Sequence, residues 1–184
     1  MKKRVAIGLL ELSSVASGIQ ATDIMLKAAG VELMLARTIC SGKYMVLVAG
    51  EVGAVKSSVQ AAESEITHSL IDSFIIPNVH PSVFKAMAGH SQVETMGALG
   101  IVESFSVASL IEGADAAVKM ANVQLMEIRL AMALGGKAFF TVTGDVAAVR
   151  SAVDAAVRII SNKGLLVNDV VIPKPSTELI SEMV

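Results

Sequence analysis

The stretch Ala6-Ile-Gly-Leu-Leu-Glu11 decides how this chain is read, because it returns as Ala98-Leu-Gly-Ile-Val-Glu103. The pairing continues through Ser14-Val-Ala-Ser17 against Ser106-Val-Ala-Ser109. It then sets Asp23 on Asp115, Lys27 on Lys119, Val31 on Val123, Leu33-Met34 on Leu125-Met126 and Arg37 on Arg129. Of the 32 positions from 6 to 37, 15 are identical to their counterparts, more than a chance pairing of two apolar segments supplies, so the chain is a tandem duplication. After two extra residues in the second copy, Gly42-Lys43 meets Gly136-Lys137, and Gly50-Glu-Val-Gly-Ala-Val55 meets Gly144-Asp-Val-Ala-Ala-Val149. Both copies run out in an apolar strand and a proline, Phe74-Ile-Ile-Pro77 and Val170-Val-Ile-Pro173. This predicts two similar domains, residues 1–90 and 96–184, joined near 88–95.

Periodicity gives the same element order in each copy. A short apolar strand (5–11; 98–104) leads to a helix opening at Ser14 or Ser106, whose hydroxyls suit an N-cap. An aliphatic strand (31–39; 123–132) passes through a glycine turn to another (43–49; 137–143), which is a hairpin signal. Gly-Glu-Val or Gly-Asp-Val then starts a second helix (51–66; 145–161), with its acid near the positive helix end. A final strand closes the unit. The order βαββαβ predicts an α+β fold, two tandem ferredoxin-like domains with helices on one face of an antiparallel sheet.

Composition narrows the function. The 184 residues carry a net charge of −2, no tryptophan and 3% aromatics, so neither a phosphate-binding patch nor a base-stacking platform for nucleic acid is present. Hydrophobic residues make up 53% of the chain and the mean hydropathy is +0.65, yet apolar runs such as Tyr44 to Ala49 stop far short of the roughly 20 residues a membrane-spanning helix needs. Little polar surface suits a protein that buries much of its outside in an oligomer. The apolar run Val5 to Leu10 ends at Glu11, which argues against a secretory signal. With one cysteine in the chain, Cys40, the reading is a reducing cytoplasm and no structural disulfide within a chain.

These residues carry a resemblance. Gly8 to Glu11, Asp23 to Val31, Ser41-Gly42, Gly50 to Val55 and Ile76-Pro77 resemble the domain of bacterial microcompartment shell proteins. So do Gly100 to Glu103, Asp115 to Val123, Gly135-Gly136, Gly144 to Val149 and Ile172-Pro173. The order is unpermuted, and the likeness covers nearly the whole chain. It implies a structural tile and not an enzyme, placed in the microcompartment shell within the cytoplasm. Tandem members form homotrimers that imitate hexamers, and neighbouring tiles are other shell proteins. One departure concerns the Pro-Arg-Pro-His that usually follows the last strand. Pro77-Asn-Val-His80-Pro81 and Pro173-Lys-Pro-Ser176 stand in its place, so the arginine that helps tiles meet is absent from both copies.

Cys40, in Thr38-Ile-Cys-Ser-Gly-Lys43, is the residue with chemistry to offer. On its own it reads as a small buried hydrophobe, and one thiol falls short of the four an iron–sulfur cluster usually takes. A threefold axis would supply three thiolates from three chains. Thr-Ile-Cys followed by Gly-Lys is similar to tandem shell proteins of propanediol-utilising compartments, a type with a cluster-binding cysteine at the pore. The resemblance implies one 4Fe-4S cluster per trimer, ligated by Cys40 and relaying electrons to a redox enzyme or flavoprotein. It also implies pore loops made by Ile39, Ser41 and Gly42 and by Leu134, Gly135 and Gly136, and a tile edge carrying Lys27 and Lys119. A zinc ion, a bare ring of thiols, a cluster-free tile with a metabolite pore and a duplicated ferredoxin-like regulatory module binding a small ligand stay open as alternatives. His68, His80 and His90 have no metal-ligand spacing and read as surface or loop histidines, and Glu11 and Glu103 read as structural acids.

Overall fold

The computed structural model describes residues 5–89, 93, 96–130 and 134–183. His90 and the residues 131–132 expected in a strand lie outside them. The described residues divide into two compact units, the first taking those up to 79 and those from 134 to 136, the second those from 80 to 130 and from 137 onward.

In the first unit β1 (Ala6–Leu12) leads to α1 (Val15–Ala28), β2 (Glu32–Ile39), a 3-10 turn (Cys40–Gly42), β3 (Lys43–Gly50), α2 (Val52–Glu65) and β4 (Leu70–Ile76). The strands form one antiparallel sheet in the order β2-β3-β1-β4, the ferredoxin-like arrangement the repeat predicts. The second unit opens on a short helix, α3 (Pro81–Met87). It then repeats the pattern as β5 (Ala98–Ser104), α4 (Val107–Met120), β6 (Gln124–Arg129), β7 (Ala138–Gly144), α5 (Val146–Asn162) and β8 (Leu166–Ile172). Its sheet order is β6-β7-β5-β8, and α6 (Thr177–Met183) follows.

The duplication extends to irregularities. β1 shifts register against β4 between Glu11 and Leu12, as β5 does against β8 between Glu103 and Ser104. β2 shifts between Leu33 and Leu35, and β6 between Leu125 and Glu127. Ser14 caps α1 by accepting from the Ser17 amide at 3.3 Å, and Ser106 caps α4 by accepting from Ser109 at 3.1 Å, as the sequence predicts. The acids Glu51 and Asp145 are the N-cap residues of α2 and α5 in extended backbone, one position before the helices begin. β6 ends at Arg129, short of the expected 132, and Leu130 is in no strand. β4 and β8 start well before their apolar ends, because polar residues such as Asp72 and Asp169 are tolerated on a strand at the edge of its sheet.

The repeated glycine of the opening motif has a packing reason. A Cβ on Gly8 would stand 2.5 Å from Val59 Cγ2 and 2.8 Å from Val55 Cγ1, so a bare backbone is what lets α2 lie on β1. Gly100 meets Val149 and Val153 of α5 at 2.8 Å in the same way. Around the first contact, Leu10, Leu12, Met25, Val46, Val48, Val55, Val59 and Ala62 close one core, and Ser58 donates to the Met25 carbonyl at 2.8 Å to tie α2 to α1. Gly8→Val is therefore expected to lower stability by about 1–3 kcal/mol through overpacking. Urea unfolding at fixed protein concentration reads this as a lower midpoint, and an unchanged midpoint would show that α2 can lift off β1 at no cost.

Candidate functional site

Cys40 is placed by a tight hairpin. Ile39 at the end of β2 pairs in register with Lys43 at the start of β3, leaving three residues, Cys40, Ser41 and Gly42, to turn the chain. Ile39 is buried and anchors the turn, whereas Cys40 is half-buried. Gly42 holds φ at +72°, a left-handed conformation that glycine adopts without penalty, and a Cβ built there would meet nothing within 4 Å. Gly42, two residues after the thiol, thus borders open space.

The outgoing arm of the turn is pinned by charge. Lys43 Nζ donates to Glu11 Oε1 at 2.9 Å, and the Glu11 side chain is fully buried on a residue that pairs in register with Met45 of β3 and Asp72 of β4. An ionised carboxylate out of water is tolerated only with a cation or strong donors beside it. The opening residue of β3 is therefore tied to the sheet's central strand. In the second unit Lys137 approaches Glu103 at 3.5 Å with both side chains about a third exposed, a looser version of the same pair. Sequence reading left Glu11 and Glu103 as separate structural acids. The signal that links them to Lys43 and Lys137 was the doubling of both residues at matched positions.

The loop of the second repeat differs. Gly135 and Gly136 both adopt positive φ, 61° and 86°, and with Leu134 they group with the first unit and not with the strands they join. Lys27 and Lys119 end α1 and α4 as expected, but each is engaged by the aspartate one turn earlier, Lys27 with Asp23 at 2.7 Å and Lys119 with Asp115. His80 is more than a loop residue. It caps α3, its ring nitrogen accepting from the Ser82 amide at 3.3 Å, while its own amide donates to Asp115 at 2.8 Å. His68 is exposed. Among the described residues no three His, Cys, Asp or Glu side chains gather where they could hold a metal ion. No described helix is long and apolar enough to cross a membrane.

Comparison with known proteins agrees with this geometry. The family model described as BMC domain matches twice, over residues 6–79 and 98–175. The chain is 44% identical to the bacterial microcompartment shell protein PduT of Citrobacter freundii over 97% of each protein. It is 40% identical to the shell protein EutM of Salmonella typhimurium over 84 residues, which is 46% of this chain and 85% of that one. Among solved structures, a microcompartment protein from Desulfitobacterium hafniense superposes with a TM-score of 0.87 at 50% identity, covering 97% of this chain and 99% of that one.

The two ion pairs are expected to differ in worth. Lys43→Met leaves a buried carboxylate without its ammonium and costs about 2–3 kcal/mol. Lys137→Met breaks an exposed pair and costs less than about 1 kcal/mol. Urea midpoints of the two variants measure the difference, and equal midpoints would contradict it.

Proposed function

The chain belongs to the bacterial microcompartment shell protein family, and on that premise we propose a trimeric tile whose three Cys40 turns meet on a central axis and hold a 4Fe-4S cluster. As a shell protein it is structural and not an enzyme, and its place is the shell. The observation that carries the proposal is the half-buried cysteine on a tight three-residue turn, present in one repeat and absent from the other. Six domains around an axis, alternating in type, would give three thiols and three Gly-Gly loops.

The residues present fit such a group. Thiolate sulfur is the donor that iron–sulfur clusters take, and three Cys40 side chains would leave one iron to a ligand from outside the protein. When bound, the cluster supplies one-electron transfer. Cys40 would ligate it, Gly42 would allow close backbone approach, and the amides of the turn would serve as hydrogen-bond donors to its sulfurs. The Lys43–Glu11 pair would hold the turn in place while this happens. Electrons would pass to a redox enzyme or flavoprotein on one side of the shell.

Protein isolated without oxygen is expected to show broad visible absorbance and, once reduced, an electron paramagnetic resonance signal, both lost in Cys40→Ser while the trimer remains. A trimer without iron or sulfide would replace the cluster reading with a cluster-free tile whose axial opening passes a metabolite. At the tile edge, joint replacement Lys27→Glu and Lys119→Glu is expected to leave trimers by light scattering but abolish sheets in electron micrographs. Sheets that persist would place lateral contact elsewhere.

A further inference from the structure

The two short helices α3 and α6 are repeats of each other. Each spans seven residues and begins four residues after the proline that ends a repeat, Pro77 for α3 and Pro173 for α6. The residue before each helix caps its first turn: the Ser82 amide donates to the His80 ring nitrogen at 3.3 Å, and the Leu179 amide donates to Ser176 Oγ at 3.3 Å. The apolar pair Val83-Phe84 corresponds to Leu179-Ile180.

Their surroundings are not alike. α3 packs on β6 and α4 of the second unit, burying Val83 and Ala86 completely, and the His80 amide reaches Asp115. Among the described residues α6 makes no comparable packing, and its Leu179 is 38% exposed. The first unit carries the same face, and among the described residues it is left exposed. Leu33 and Ile19 are 40% and 59% exposed, whereas their counterparts Leu125 and Ile111 are 2% and 0% exposed. The Asp23 side chain is 61% exposed against 7% for Asp115.

We infer that the α1–β2 face of the first unit is the docking site for α6 of a second copy of this chain. Leu179 and Ile180 lie on Leu33 and Ile19, and the Ser176 amide donates to Asp23 as the His80 amide donates to Asp115. The occupant is a copy of this chain because α6 matches α3 in length, capping and distance from its strand, and α3 already fills the duplicate of the seat. The contact is heterologous: each copy offers a helix on one side and a seat on the other, and such contacts close into a ring where their rotation closes, as a threefold one does. This deepens the trimer reading and rests on it.

The test pairs chains that cannot react within themselves. Asp23→Cys and Ser176→Cys, each with Cys40→Ser, are co-expressed, and cross-links are mapped by peptide mass. His80→Cys with Asp115→Cys and Cys40→Ser in one chain is the geometric control. A bond between positions 23 and 176 of different chains is expected, and only like-with-like bonds, or none while the control forms, would overturn the docking. Deleting residues 176–184 is expected to raise the trimer dissociation constant about tenfold or more, and unchanged association overturns it without relying on cross-linking. Trimers that lack the 23–176 bond sink the docking alone, whereas a monomeric wild-type chain sinks the trimer and the docking together.

Discussion

A carboxylate removed from water must be matched by charge, and Glu11 is removed from water completely. Lys43 matches it at 2.9 Å, across a sheet in which β1 is flanked by β3 and β4. Because Lys43 is the first residue of β3, the same contact sets where β3 begins, and so leaves three residues for the turn that carries Cys40. The position of the thiol is in this sense a consequence of burying an acid. The glycine three residues before it, Gly8, does the complementary work on the helical face by letting α2 approach β1.

Duplication followed by divergence gives the chain two kinds of domain edge and two kinds of loop. The first repeat keeps a tight turn with a thiol and a well-buried ion pair. The second has two extra residues, two left-handed glycines and a looser pair. Three such chains around an axis, as proposed, would lay threefold chemistry over a nearly sixfold framework.

Much of the fold was legible because its signals are local or periodic. Ser14 and Ser106 announce their helices through capping, Pro77 and Pro173 end their strands, and the repeat itself aligns the two sheets. The site was legible only in part. Cys40 stood out as the lone thiol, but nothing in its neighbours by sequence says that Lys43 answers to Glu11, since that pairing crosses two strands. The short helices gave no periodic signal, because seven residues make only about two turns.

The sequence by itself determined the duplication, the element order, the helix caps and the presence of a thiol in one repeat, since each depends on residue type and spacing along the chain. Tertiary structure alone decided that Glu11 is buried and paired, that Gly8 is a packing contact, and that Leu125 is covered while its twin Leu33 is exposed. Those facts depend on which element lies across a face, and identical residues take different roles when that neighbour is present in one copy and missing in the other.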